Sequence, residues 1–303
     1  MIREIWRYNQ AEEMALIADC LSSCPFIAID TEFPGCLRNT PLTSSECERY
    51  SDMKFNVDRT KLIQFGFTLF DSDCRIGGTW EVNFSGFSET EDARNEDSIS
   101  FLRKNGLDFE QIREDGVCVH GFFREFIRMI RFQEQLLWIT FHGSYDIAYL
   151  SKMMTRSPLP CTSEGFTDVV GKTLGRVYDM KAMASRIRGL NQRFGLEKLA
   201  DELGVSRQGS AHHAGSDSLL TAQAFVRMAA RCKDLCEYEG FIYGMGSRVV
   251  SKRLVPQAES MPSSYTRCFD EPPRMYTAAF SSYRDGNFVV PVPPIHYGFS
   301  GFM

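Results

Sequence analysis

Apolar positions recur at helical spacing near the start of the chain, where Met14, Ile17, Ala18 and Leu21 mark one face of a helix over 11–24. A continuous apolar run follows, Phe26-Ile27-Ala28-Ile29, and it ends in Asp30-Thr31-Glu32, which predicts a short buried strand. The polar stretch 39–54, Ser- and Glu-rich in its middle, is expected to be a loop. Residues 62–70 and 79–84 read as two further strands. Three neighbouring strands separated by turn residues predict an antiparallel meander. After an acidic turn over 89–97 the spacing becomes helical through Phe101 and Leu102, and again through Phe122, Phe126 and Ile130. Residues 136–141 form another apolar run, a predicted buried strand, followed by a helix over 145–154. Helices are also expected over 164–174, 196–203 and 216–231, the last with Leu219, Ala222, Val226 and Ala229 on one face. Strands first, then alternation with helices, predict an α/β fold, a mixed sheet covered by helices.

Composition sets the limits. With 303 residues and 43% hydrophobic positions, the chain suffices for one large domain with an extension, or for two. The expected division is one domain over 1–250 and a Pro-, Ser- and aromatic-rich tail over 251–303, since seven of the 12 prolines fall in the last 48 residues. Tail aromatics such as Tyr265, Phe269 and Tyr276 are open to two readings, a partner-binding element or a tail without a specific role. No window approaches a membrane span of roughly 18 uninterrupted apolar residues. The opening Met1-Ile2-Arg3-Glu4-Ile5-Trp6-Arg7 is broken by charges and does not read as a secretory signal. A soluble intracellular protein is expected. Its net charge of −5 gives no global basic footprint for nucleic acid, while leaving a local groove open. The ten cysteines lack Cys-x-x-Cys spacing. Cys20/Cys24 and Cys232/Cys236 fall at i, i+4, but no nearby histidine pair completes a zinc set, so reduced and mostly buried thiols are expected.

The candidate chemistry begins at Asp30 and Glu32. Residues i and i+2 of a strand face one side, so both carboxylates project together. Held close, they repel and raise each other's proton affinity, a penalty that a hard divalent cation removes. Acidic pairs at this spacing arise readily in a chain with 39 acidic residues, so the pair needs partners. Asp146 lies just past the apolar strand at a helix start, and Asp217 in the first turn of the last helix. Either acid alone is explained by capping and the helix dipole. His212 and His213 precede Asp217 in a Gly- and Ser-rich loop, and histidine suits proton transfer near neutral pH. Together these make a strand Asp-x-Glu, a helix-start Asp and a final His-x-x-x-x-Asp. Such carboxylates suit two divalent cations, Mg²⁺ or Mn²⁺, clamping a phosphodiester for in-line attack by water.

That order is the layout of the DEDD exonucleases, histidine subgroup, on a ribonuclease-H-like fold. The chain resembles the Caf-type (Pop-type) catalytic subunit of the CCR–NOT deadenylase complex. The similar segments include DTEFPG (30–35), NVDRTKLIQFGFTL (56–69), WEVNF (80–84), FHGSYDIAYL (141–150), VYDMK (177–181) and HHAGSDSLLT (212–221). They run in order from about residue 2 to 247. The resemblance implies that Asp30 bridges both metals, that Glu32 and Asp217 complete the inner coordination, and that Asp146 holds the second metal. His212 would be the general base. It also implies 3′→5′ shortening of mRNA poly(A) with release of 5′-AMP, residence in cytoplasm and nucleus, and two protein partners: the CCR–NOT scaffold subunit and a leucine-rich-repeat deadenylase subunit. A non-catalytic adaptor of the same complex, or an exonuclease trimming other RNA ends, is the alternative.

Two departures stand out. The family usually reads His-Gln-Ala-Gly-Ser-Asp, whereas this chain has His213 in the Gln place. His142-Gly143-Ser144 exchanges the small residues of the family's His-Ser-Gly order. Phe33 is open to base stacking or to packing. Arg38, Arg59, Lys152 and Arg156 are open to phosphate contact or to plain surface charge. Asp179 reads as a helix cap rather than a fifth ligand.

Overall fold

A computed structural model of the chain describes residues 1–252 except positions 42 and 134, so the expected tail lies almost wholly outside the described residues. Six strands form one sheet: β1 (Ile2–Ile5), β2 (Phe26–Glu32), β3 (Gln64–Phe70), β4 (Ile76–Asn83), β5 (Leu137–Thr140) and β6 (Arg176–Asp179). Their order is β1-β4-β3-β2-β5-β6. β2, β3 and β4 are the antiparallel meander, while β5 runs parallel to β2 and β6 parallel to β5. This is the mixed, ribonuclease-H-like sheet expected of the chain. β1 adds a parallel edge strand beside β4.

The helices are α1 (Gln10–Leu21), α2 (Glu46–Arg59), α3 (Glu96–Lys104), α4 (Phe109–Asp115), α5 (Val119–Ile130), α6 (Ser144–Thr155), α7 (Ser163–Thr173), α8 (Met180–Ala184), α9 (Leu196–Glu202) and α10 (Ala214–Ala229). α2 replaces most of the loop expected over 39–54. It begins with a capping box in which Ser45 accepts from the Glu48 amide and the Glu48 side chain accepts from the Ser45 amide. Tyr50, Met53 and Val57 then bury one helical face. The polar surface of this helix hid a valid start signal, Ser-x-x-Glu.

Each sheet face is covered differently. Phe65, Phe67, Trp80 and Val82 face α1 and α5, where Phe122, Phe123 and Phe126 build an aromatic wall. Ring centroids of Phe65 and Phe67 lie 5.4–6.4 Å from those α5 rings. Each fully buried aromatic of this kind contributes about 1.5–3 kcal/mol. The opposite face carries Phe26, Ala28 and Ile139 at one end, packed beneath α10 through Leu220 and Phe225. Along β2 that same face changes character, because Phe26 and Ala28 are followed at even positions by Asp30 and Glu32. Its neighbours there are polar too: Gln64 stands opposite Glu32, and Glu81 opposite Gly66.

The N-terminus of α10 presses onto this polar end. Gly66, the register partner of Asp30, makes that approach possible. A Cβ at Gly66 would lie 1.9 Å from the carbonyl carbon and oxygen of Ala214. Thr68 and Ser218 share a hydrogen bond of 3.1 Å across the same interface. We therefore expect Gly66→Ala to displace the start of α10 and to cost at least the upper end of the about 1–3 kcal/mol typical of overpacking. Urea denaturation measures this; stability within about 0.5 kcal/mol of wild type, the usual range for harmless surface changes, would contradict it.

Candidate active site

Four carboxylates meet where β2 ends. Asp30 and Glu32 are half-buried on the α10 side of the strand. Asp217, in the first turn of α10, is 7% exposed, as is Asp146 in the first turn of α6. Asp146 is oriented by two hydroxyls: Thr31 Oγ1 donates to Oδ1 at 2.5 Å and Thr140 Oγ1 to Oδ2 at 3.5 Å. Asp217 Oδ2 accepts the His212 amide at 3.1 Å, and Oδ1 is held by the Arg207 guanidinium. Arg207 also reaches Glu197 at 2.6 Å and Ser216 Oγ at 3.0 Å. Sequence reasoning missed Arg207, whose partners gather only through tertiary folding.

All four acids hold their protons more tightly than usual. Burial raises the Asp30 carboxyl well above the carboxylate range, with Asp146, Asp217 and Glu32 adding to the effect and Arg207 opposing it. Burial, then Asp217 and Asp146, push Glu32 up to about 8. Burial lifts Asp146 to about 7 against the bond from Thr31. Asp217 is raised by burial and restrained by Arg207. One arginine cannot neutralise four carboxylates, and an all-oxygen donor set of this charge suits Mg²⁺ or Mn²⁺.

The two histidines have different partners. His212 is exposed and left-handed, with φ 61°. One ring nitrogen lies within 4.8 Å of carboxylate oxygens of Glu32 and Asp217, which are also within that distance of each other. Its ring packs edge-to-face with Phe101, the centroids 4.6 Å apart and the planes at 69°. His213 is anchored instead, with Nε2 3.0 Å from the Asn105 carbonyl and Nδ1 3.5 Å from Glu81 Oε1. Its bond to Glu81 is the main cause that lifts it to about 9. Glu81 further accepts the Gly215 amide at 2.8 Å, so Glu81 ties the His-His-Ala-Gly turn to β4.

The remaining candidates are occupied structurally. Phe33 stacks on Tyr145 at 5.2 Å and tilts against Tyr149 at 5.0 Å. Arg38 and Arg59 both lie over the Phe55 ring, at 3.4 and 3.8 Å from its centroid. Lys152 donates to the Val57 carbonyl at 2.6 Å, and Arg156 is the left-handed C-cap of α6. Asp179 caps α8 through the Lys181 amide and also accepts the amides of His142, Gly143 and Tyr243. Gly143 lies against β5, where a Cβ would be 1.9 Å from Thr140 Oγ1, so this strand accommodates the exchanged Gly-Ser order. Among the described residues eight cysteines are free thiols, four of them exposed, and Cys74 is disulfide-bonded, which corrects the expectation of reduced and mostly buried thiols.

Comparison with known proteins bears on this geometry. Residues 5–121 and 119–225 match the family described as CAF1 family ribonuclease. CCR4-associated factor 1 homolog 8 of Arabidopsis thaliana is 57% identical over 216 residues, 71% of this chain and 90% of that protein. Poly(A) ribonuclease pop2 of Schizosaccharomyces pombe is 37% identical over 256 residues, 81% of this chain and 75% of that protein. The structure of S. pombe Pop2p in its Mg²⁺- and Mn²⁺-bound form superposes with a TM-score of 0.74 at 35% identity, covering 80% of this chain and 99% of that one. Yeast CAF1, co-crystallised with the NOT1 MIF4G domain, superposes with a TM-score of 0.67 at 25% identity, covering 80% and 96%.

The raised carboxyls predict a distinct pH response. The unfolded chain has ordinary carboxyls near 4, so between about 4 and about 8 the metal-free folded state binds more protons than the unfolded one. Its stability therefore falls as pH rises through that window. His213, raised to about 9, adds a decline of the same sense above about 6.5, so the diagnostic quantity is the Mn²⁺-dependent difference. Mn²⁺ should raise the melting temperature of chelator-treated protein more at pH 8 than at pH 5, and Asp30→Asn should abolish the difference. Equal shifts at both pH values would contradict the reading.

Proposed function

The chain belongs to the CAF1 ribonuclease family, and from that premise we propose that it is a metal-dependent 3′→5′ exoribonuclease that shortens poly(A) tails and releases 5′-AMP, leading to mRNA decay. The observation that carries the proposal is the convergence of Asp30, Glu32, Asp146 and Asp217 with His212 at the end of β2. Divalent cations held by the four carboxylates, two by the family's pattern, would activate water and stabilise the leaving 3′ oxygen. The Mg²⁺ and Mn²⁺ bound by S. pombe Pop2p support that choice.

The chain's own groups divide the remaining work. A ring nitrogen of His212 accepts the proton of the attacking water, being exposed and close to Glu32 and Asp217. His213 is unsuited to the task, because both its ring nitrogens have partners and Glu81 keeps it protonated near neutral pH. Arg207 fixes Asp217, and Thr31 and Thr140 fix Asp146. Adenine preference, the CCR–NOT scaffold and a leucine-rich-repeat subunit as partners, and action in cytoplasm and nucleus belong to the same proposal. The CCR4-associated name of the Arabidopsis relative and the NOT1 complex of yeast CAF1 support the partner assignment.

The test is a 3′-shortening assay on labelled RNA ending in poly(A), beside RNA ending in another base, with Mg²⁺ or Mn²⁺. Wild type should shorten poly(A) faster, and Asp30→Asn should lose more than about 100-fold, since even partners of metal ligands cost 10–100-fold. Equal activity of the variant, or none in wild type, would sink the enzymatic reading in favour of an adaptor.

The histidines are tested separately. His212→Ala should lower kcat by about 10²–10⁴-fold, the range of general acid–base catalysis, with Mn²⁺ affinity retained. His213→Gln, the family's usual residue, should change it by less than about 10-fold. A larger loss at His213 would reverse the assignment, and a loss of Mn²⁺ affinity at His212 would make it a ligand instead.

A further inference from the structure

Cys20, in the last turn of α1, and Cys24, in the turn leading to β2, lie at the other end of that strand from Asp30 and Glu32. Their sulfurs are 3.6 Å apart, with Cys20 Sγ donating toward Cys24 Sγ. The Cys24 amide donates to the Cys20 carbonyl at 3.1 Å, which holds the two side chains on one side of the turn. Both cysteines line a cavity of about 470 Å³ together with Arg3, Asp71, Arg75 and Trp80, Cys20 partly exposed and Cys24 buried at 4% exposure. Gly77 makes room for the two sulfurs, because a Cβ there would lie 2.5 Å from Cys20 Sγ and 2.7 Å from Cys24 Sγ. Touching thiols beside an open cavity have no part in the carboxylate chemistry.

We propose that Cys20 and Cys24 form a redox-responsive dithiol that a hydroperoxide converts to an intramolecular disulfide. The Cys24 thiolate attacks one peroxide oxygen; the S–O bond forms, the O–O bond breaks, and hydroxide leaves. Cys20 Sγ then attacks the Cys24 sulfenic sulfur; the S–S bond forms, the S–O bond breaks, and water leaves with the Cys20 proton. The hydroxide takes up the proton that Cys24 released on ionising, so two thiols are oxidised and hydrogen peroxide is reduced to two waters. The order of attack follows from the hydrogen bond. Donation from Cys20, helped by Ser23, brings Cys24 down to about 7 against its burial, while Cys20 is pushed up by the same bond. Closure brings the sulfurs from 3.6 Å to the S–S bond length of about 2.05 Å. Cys20 sits in the last turn of α1 and Cys24 beyond its last residue, so closure moves only the end of that helix and the turn after it.

Peptide mapping of the full chain after brief hydrogen peroxide treatment and alkylation tests this. The expected product is a Cys20–Cys24 disulfide, reversible by dithiothreitol. It should form about tenfold faster than a free cysteine reacts near pH 7, in line with the larger thiolate fraction. Cys20→Ser should stop at a sulfenic acid on Cys24 that dimedone traps, and Cys24→Ser should leave Cys20 unreacted. Oxidation of the exposed Cys47, Cys118, Cys161 or Cys236 while Cys20 and Cys24 stay reduced would overturn the proposal. So would equal reactivity of Cys20 in the Cys24→Ser protein.

Discussion

The structure turns on the close contact between the start of α10 and the middle of β3. It brings Asp217 to Asp30 and Glu32, and it exists because residue 66 has no side chain. Like charges converge there at a cost in stability, which the rest of the fold must offset. The aromatic wall of Phe65, Phe67, Phe122, Phe123 and Phe126 supplies burial on the far face of the sheet. On the near face, Gln64 donates to Glu81, Glu81 accepts the Gly215 amide, and Thr68 and Ser218 share a hydrogen bond, so polar groups that α10 covers are paired across the interface. The site is thus strained electrostatically and supported mechanically, as is common where a protein keeps a functional charge cluster.

Much of this was legible in the residues. The apolar run into Asp30-Thr31-Glu32 specified both the strand and the shared direction of its two acids. The order of the carboxylates and histidines gave the layout of the site, and the segments around them, such as DTEFPG (30–35) and HHAGSDSLLT (212–221), carried the resemblance to the family. What stayed hidden depends on distant partners. β1 and β6 are four residues each, too short to show a period, and they exist by parallel pairing with β4 and β5. Arg207 and Glu81 are ordinary charges in sequence, and their roles arise when the α10 turn brings Asp217 and His213 to them. α2 is a different kind of miss, since its capping box was present in the chain and its polar surface obscured it.

The adjacent histidines show how one turn separates two roles. His212 takes a left-handed backbone and stays exposed among the carboxylates. His213 takes an extended backbone at the N-terminal boundary of α10, and its ring meets the Asn105 carbonyl and Glu81 instead of capping the helix. The first keeps the freedom that the proposed general base requires. The second serves as a strut, and a glutamine has the hydrogen-bonding capacity to fill the same place.

The reading of the carboxylate cluster as a divalent-cation centre is open to direct observation. Its most direct measurement is anomalous scattering at the manganese edge from crystals grown with Mn²⁺. Manganese density is expected bonded to oxygens of Asp30, Glu32, Asp146 and Asp217. Ions bound only elsewhere on the chain, or none at Mn²⁺ concentrations that support RNA shortening, would contradict it.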